Sequence, residues 1–78
     1  MSPNEIQAHL RRAPFRPIRV HLTDGSSYEI RHPELALLTR RDLAIALDIG
    51  PDGLPDRNIF CDPLHVVRIE QIDGTTSN

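Results

Sequence analysis

Residues Pro14–Glu34 read PFRPIRVHLTDGSSYEIRHPE, and this stretch decides the fold. Apolar side chains alternate with polar ones on both sides of Asp24-Gly25, which is typical of two half-buried strands joined by a tight turn. The prolines at either end of the stretch favour the ends of regular structure over its interior. We therefore predict a β-hairpin over residues 17–32, on which the rest of the chain packs.

The register of this hairpin follows from its turn. Facing residues share one side of a sheet, so the apolar residues of the two strands must meet. A two-residue loop mixes apolar with polar residues, and a three-residue loop at residues 24–26 opposes Arg19 to Arg31. A loop at Thr23–Gly25 avoids both conflicts and gives Gly25 the left-handed position of a bulged turn. It predicts three pairs: Ile18 with Ile30, Arg19 with Glu29, and Val20 with Tyr28.

Before the hairpin, the sequence predicts a short helix over residues 3–12. Ser2 is a good N-cap, Pro3 suits the first helical position, and Glu5 completes a capping box. Pro14 ends the helix, because the residue before a proline is driven out of the α region. A helix this short is marginal alone, so we expect it to dock on the hairpin.

After the hairpin, His32 is predicted on the apolar side at the end of its strand. Residues 35–49 are rich enough in leucine and alanine for one helix, but strict period two over Leu43–Ile49 favours a second hairpin. The remaining predictions are a loop over 50–57, last strands over 58–61 and 66–72 with Val67 and Ile69 on one side, and a disordered tail over 73–78.

These elements predict a single small domain over residues 1–72 of the α+β class, mainly β. A short N-terminal helix precedes about five antiparallel strands, which form a strongly bent sheet or a small barrel. The chain of 78 residues is short enough that its core is thin. Chains of this size usually need staples or a partner subunit.

Two resemblances accompany these predictions. The runs RRAPFRPIRVHLTDGSSYEIRHPE and DPLHVVRIE resemble a family of short bacterial proteins that share a capped helix, Pro-Phe-x-Pro, an Asp-Gly hairpin and a His-Pro-Glu exit. This resemblance covers nearly the whole chain and implies no function, because the family has none assigned. More loosely, Val20-x-Leu22-x-Asp24-Gly25 is similar to the start of the first motif of the Sm-like RNA-binding fold, a small barrel related in shape to SH3 domains.

The Sm-like resemblance implies a fold more than an activity. The glycine that its first motif expects on the second strand is absent, as is the later Asp and Asn pair. The stretch Val66–Glu70 lacks the signature of the second motif, and Leu64-His65 matches only half of one version of it. RNA binding is therefore the alternative function rather than the first.

The composition excludes several classes of protein. Cys61 is the only cysteine, so no intrachain disulfide can form, and this pattern suits a reducing compartment. No apolar run approaches the roughly 20 residues of a membrane span. We expect a soluble, cytoplasmic protein with no membrane partner. Without staples, association with itself as a homo-oligomer, or with another protein, is the expected route to stability.

Charge divides unevenly along the chain. Residues 1–41 hold seven arginines and four acidic residues, whereas residues 42–78 hold two arginines and seven acidic residues. Such a split indicates a basic face for an anionic partner, or two faces that complement each other between subunits. The candidate surface for an anionic partner consists of Arg11, Arg12, Arg16, His21, Arg31, Arg40 and Arg41. Arginine forks suit phosphate and carboxylate, although a surface of solvated charges is the commoner outcome.

The sequence places no catalytic or metal-binding group. Cys61, Asp62 and His65 form the only cluster of ligand types, and a cysteine next to Phe60 is better interpreted as a buried, inert thiol. No nucleophile with its base and no glycine-rich phosphate cradle is present. We predict no catalytic residue, no metal and no cofactor. The predicted function is a non-catalytic module for protein interaction or self-assembly.

Overall fold

The structure, a computed structural model, describes residues 1–72 and contains one helix and six strands in that range. The strands form two antiparallel sheets of three strands each, in the orders β2-β1-β6 and β3-β4-β5. We call these the first and second sheets. Their bounds are α1 Pro3–Leu10, β1 Ile18–Leu22, β2 Ser27–Ile30, β3 Ala36–Leu38, β4 Leu43–Ile49, β5 Pro55–Cys61 and β6 Val66–Gln71.

The hairpin register predicted from the turn is confirmed. Ile18 faces Ile30, Arg19 faces Glu29 and Val20 faces Tyr28. The loop is closed by hydrogen bonds from Leu22 N to Ser26 O at 2.9 Å and from Gly25 N to Leu22 O at 3.0 Å. Gly25 has a φ of +89°, the conformation that favours glycine.

The helix begins as predicted and ends two residues earlier. Glu5 N donates to Ser2 Oγ at 3.3 Å, and Ser2 N donates to the Glu5 carboxylate at 3.1 Å, which completes the capping box. Arg11 caps the last turn with φ −95° and ψ 0°, outside the α region, although its N–H still donates to Gln7 O. The chain therefore leaves the helix before Pro14 forces it to do so.

The fold is mainly β, as predicted, but the prediction of a small barrel is wrong. Within residues 1–72 the two sheets are separate and neither closes on the other. The break lies at His32-Pro33, where a 3-10 turn over Pro33–Leu35 carries the chain out of the first sheet. Proline has no N–H to continue the ladder, so β2 ends before it, and within residues 1–72 β2 does not pair with β3 and β5 does not pair with β6. The described residues form six strands rather than about five.

The second hairpin, predicted within residues 35–49, is confirmed by pairing of β3 with β4. The loop predicted over 50–57 is too long. The turn spans only Gly50–Leu54, where Gly50 N donates to Leu54 O at 2.9 Å, and β5 already begins at Pro55. Proline is tolerated there because it is the first residue of an edge strand. Arg57 reaches across to Asp48 with a 2.7 Å hydrogen bond, which favours pairing of this part of the chain.

The last strand contains a bulge that the period-two pattern did not predict. Leu22 pairs with Val66 and His21 pairs with Arg68, so Val67 is an extra residue in β6. Val66 is buried, whereas Val67 is 57% exposed, and the prediction that Val67 shares a side with Ile69 is wrong. His32 is also exposed rather than on the apolar side, since β2 ends at Ile30. The tail predicted over 73–78 lies outside the described residues.

The core is small and draws on both sheets and the helix. Among residues 1–72, seven hydrophobic residues are buried: Ile6, Ile18, Val20, Ile30, Leu43, Ile45 and Val66. Tyr28 and Cys61 pack against this cluster and are partly buried. Among residues 1–72, no helix has the length and apolar character needed to cross a bilayer.

A substitution at Gly25 tests the turn. A Cβ on Gly25 would meet no atom within 4 Å, so any cost of Gly25→Ala comes from its φ of +89°. We expect Gly25→Ala to lower the free energy of unfolding by about 1–2 kcal/mol. Gly25→Asn is the matched control, and it should cost less because asparagine tolerates this region better. Urea unfolding followed by far-ultraviolet circular dichroism measures both, and an Ala variant as stable as wild type would contradict this turn.

Candidate functional site

The residues of the predicted anionic-partner surface fall into three separate groups. Arg11, Arg12 and Arg16 are exposed in the segment between α1 and β1. His21 and Arg31 belong to the outer face of the first sheet, and Arg40 and Arg41 occupy the exposed turn between β3 and β4. Because Ile18 pairs with Ile30, Arg31 lies at the same end of the first sheet as Arg16, whereas Arg40 and Arg41 lie in the second sheet, between β3 and β4.

The outer face of the first sheet carries a ladder of ion pairs, which we call the ion-pair ladder. It consists of Arg31, Glu29, Arg19, Glu70 and His21. Ile18 and Val20 point into the core, so the alternate residues of β1 point outward. The Glu29 carboxylate accepts from Arg19 at 2.7 Å and from Arg31 at 2.9 Å. The pair predicted between Arg19 and Glu29 is confirmed.

Glu70 continues the ladder on β6. Its Oε1 lies 3.0 Å from His21 Nε2 and 3.5 Å from an Arg19 nitrogen. Arg68 Nη2 lies 3.1 Å from the same His21 nitrogen, which cannot donate to Glu70 and accept from Arg68 at once. We assign the hydrogen bond to the charged carboxylate, because charge-assisted hydrogen bonds are the stronger ones. His21 and Arg31 are thus engaged within the chain.

Both carboxyl groups of the ladder ionise more readily than usual. The hydrogen bond from Arg19 lowers the pKa of Glu29, and the charge of Arg31 adds to this effect. The hydrogen bond from His21 lowers the pKa of Glu70, and the charge of Arg19 adds to it. The ladder is therefore a set of matched charges rather than an open basic surface.

The arginines between α1 and β1 differ from those of the ladder in their ion pairing. Within residues 1–72, Arg11, Arg12 and Arg16 make no ion pair. Arg40 lies beside the start of α1, where it lines a shallow depression with Pro3, so it is at the opposite end of the helix from Arg11. We call residues 11–16 the arginine segment.

The outer face of the second sheet carries one row of apolar residues. Leu37 pairs with Ala44, and Ala44 pairs with Phe60, so these three residues form one row across all three strands. Leu43 and Ile45 are buried on the inner face, which places the row on the outer one. Leu37 and Phe60 are each 68% exposed. We call these three residues the apolar row.

A groove of about 600 Å³ lies between the hairpin tip and the end of β5. Its lining combines two aromatic rings with two carboxylates, a thiol and an imidazole: Tyr28, Phe60, Asp24, Asp62, Cys61 and His65. Phe60 therefore belongs both to this groove and to the apolar row. We call it the acidic groove.

The thiol and the imidazole of the acidic groove have different surroundings. Burial raises the pKa of the Cys61 thiol, and the negative charges of Asp62 and Asp24 raise it further, so the thiolate is disfavoured. His65 Nδ1 is 3.2 Å from the Thr23 hydroxyl. Among the residues the structure describes, no group of three or more histidine, cysteine, aspartate or glutamate side chains is placed to hold a metal ion.

Neither the apolar row nor the acidic groove was predicted from the sequence. A signal for the row existed, because the period-two pattern that sends Leu43 and Ile45 inward sends Ala44 outward. The register of β4 with both neighbours was needed to add Leu37 and Phe60 to that face. The groove joins the hairpin tip to a turn about 40 residues later, which no local pattern reveals.

The ladder makes stability depend on pH. Because Glu29 has a folded-state pKa below its ordinary value of 4.5, its stabilisation is present above pH 4.5 and is lost as the pH falls through the lower, folded value. We expect Glu29→Gln to be less stable than wild type at pH 7, and the difference to shrink at pH values progressively below 4.5. Urea midpoints across this range measure it.

The control is Glu34→Gln, which removes a carboxylate that makes no ion pair with the rest of residues 1–72. It should leave the urea midpoint nearly unchanged at pH 7, since such surface substitutions are usually within about 0.5 kcal/mol. A Glu29→Gln deficit that stays constant from pH 7 to pH 3 would contradict the role of the ladder.

Comparison with known proteins assigns the chain to no family. No protein-family model matches the chain, and no curated protein and no solved structure matches it either. The two resemblances drawn from sequence motifs stay predictions.

Proposed function

We propose that this protein is a non-catalytic module that associates with itself, and that the apolar row on the second sheet is its contact surface. The observation that carries the proposal is the alignment of Leu37, Ala44 and Phe60 on one outward face. Scattered exposed hydrophobic residues are normal on a protein surface, but a contiguous row with two strongly exposed large side chains favours an interaction site.

The size of the core supports the same proposal. The seven buried hydrophobic residues within residues 1–72 give a thin core, and the single cysteine leaves no intrachain disulfide. Small domains in this position commonly gain stability from a partner subunit. Covering the apolar row in a second copy removes further apolar surface from water, at about 25 cal/mol per Å².

The strand edges favour contact through the face of the sheet. β3 has only three residues, and β5 begins with Pro55, Asp56 and Arg57. Short edge strands, prolines and charges are the features with which natural proteins block pairing between edges. The outer face of β3-β4-β5 has no such protection at Leu37 or Phe60.

Polar substitutions on the row test the proposal. We expect wild type to form a dimer, and Leu37→Ser or Phe60→Ser to weaken its dissociation constant at least about tenfold, because each loses more than about 1.4 kcal/mol of apolar burial. Sedimentation velocity detected at 230 nm suits a chain with one tyrosine and no tryptophan. Circular dichroism should show unchanged folding, since both side chains are exposed.

The matched control is Val67→Ser, which removes an exposed valine from the bulge of β6 in the other sheet. It should leave the dissociation constant unchanged. A wild-type mass that stays monomeric at millimolar concentration overturns the self-association proposal. If Val67→Ser and Phe60→Ser weaken the dimer equally, the apolar row is not the contact surface.

The alternative is RNA binding by an Sm-like protein through its arginine-rich half. The observation in its favour is that Arg11, Arg12 and Arg16 make no ion pair within residues 1–72. Binding of single strands also needs aromatic platforms for the bases. Phe15 in the arginine segment packs against the core, and Tyr28 and Phe60 lie beside Asp24 and Asp62, whose charges repel phosphate. The self-association proposal is therefore the better supported.

Retardation of single-stranded RNA distinguishes the two functions. We expect no shifted band at 50 mM salt, and an ultraviolet spectrum of the purified protein with no nucleic-acid maximum near 260 nm. Because phosphate contacts strengthen as salt is lowered, this condition favours any binding that exists. Salt-sensitive retardation that is lost in Arg12→Gln/Arg16→Gln would establish the RNA alternative.

A further inference from the structure

The acidic groove presents carboxylate oxygens that its own turns do not use. Asp24 Oδ1 accepts from Ser26 N at 2.9 Å and from Ser26 Oγ at 2.6 Å, and Asp62 Oδ1 accepts from Leu64 N at 2.9 Å. Within residues 1–72 neither Oδ2 atom takes part in a hydrogen bond. Each aspartate thus keeps a charged oxygen for a partner.

The groove also has the apolar surfaces that suit a guanidinium group. Tyr28 and Phe60 line it together with the two aspartates, and no arginine contributes to the lining. An arginine side chain stacks on aromatic faces and bonds carboxylates with its planar fork, so one residue can satisfy both features. Burial is the main cause that raises the pKa of Cys61, and the smaller contributions of Asp62 and Asp24 agree with a negatively charged groove.

The same chain carries unmatched arginines in the arginine segment. Arg11, Arg12 and Arg16 are all exposed, and none has an acidic partner among the described residues. The chain therefore has both halves of a charge-complementary contact. Such complementarity gives specificity and register to an interface.

The two halves cannot meet within one molecule. Arg16 lies two residues before β1, and Asp24 lies two residues after it. β1 has five residues, which extend about 17 Å at about 3.3 Å per residue. The extended strand holds the arginine segment and the hairpin tip at opposite ends of the first sheet, so any contact between them joins two copies.

We propose that the acidic groove of one copy binds the arginine segment of a second copy, with a guanidinium between the aromatic rings and the carboxylates of Asp24 and Asp62. This inference rests on the proposed self-association and names the charged part of the same interface. Phe60 lines the groove and ends the apolar row, so the two contact surfaces are continuous.

Two charge-neutral variants test the contact. The groove variant is Asp24→Asn/Asp62→Asn, in which asparagine removes each charge but keeps the Oδ1 acceptor that its turn needs. The arginine variant is Arg12→Gln/Arg16→Gln. We expect each variant alone to dimerise at least tenfold more weakly than wild type in sedimentation velocity at 50 mM salt.

An equimolar mixture of the two variants is the decisive sample. The arginines of the groove variant meet the intact groove of the arginine variant, so one correct contact forms in every mixed pair. We expect the mixture to associate more tightly than either variant alone. If the mixture associates as weakly as each variant alone, the inference is overturned, because a non-specific effect of charge would give the same weak association.

The matched control is Asp52→Asn/Asp56→Asn, which also removes two negative charges. Asp52 Oδ1 accepts a backbone hydrogen bond in the β4–β5 turn, as Asp24 Oδ1 does in the first hairpin. Asp52→Asn and Asp24→Asn should therefore have similar local effects. Neither residue lines the acidic groove. The control should dimerise as wild type does.

The outcomes separate this inference from the proposed function. If Phe60→Ser weakens the dimer but the groove variant does not, the inference is wrong and self-association through the apolar row stands. If wild type is monomeric throughout, both are overturned. If the groove variant is weak and its mixture with the arginine variant recovers, the contact between groove and arginine segment is established.

Discussion

The positive φ of Gly25 fixes the register of the first hairpin, and the two faces of the first sheet depend on that register. With the loop at Thr23–Gly25, Ile18 and Ile30 meet on the inner side, while Arg19 and Glu29 meet on the outer side. A shift of one residue would reverse these faces, placing charges in the core and isoleucines in water. The ion-pair ladder and half of the core therefore follow from one turn.

The parts of the fold that could be predicted from the sequence are those governed by local chemistry. The capping box at Ser2 and Glu5 and the turn at Gly25 each follow from neighbouring residues. The barrel was wrong because closure needs β2 to pair with β3 and β5 to pair with β6, and these contacts between sheet edges follow from no local pattern. The bulge at Val67 needed the partner strand, which lies more than 40 residues away in the chain.

The candidate surfaces, too, could be predicted only in part from the sequence. The sequence singled out arginines by type, but the pairing of strands decides which of them are available. His21 and Arg31 are held by Glu70 and Glu29, whereas the arginine segment has no such neighbour among residues 1–72. The apolar row required two registers at once, and the acidic groove required the packing of a turn against a hairpin tip. Function on this chain is a property of tertiary placement more than of motif.

The position of β1 between the arginine segment and the hairpin tip makes the molecule electrically polar along that strand. Two copies aligned in the same direction would bring like charges together at both ends. Two copies related by an antiparallel two-fold axis satisfy both ends of both molecules and close the assembly. A head-to-tail row would instead leave one positive and one negative end at its limits, and could add further copies without a natural stop. The polarity along β1 thus disfavours a parallel pair, and the symmetry of any contact between these ends decides whether the assembly is closed or open.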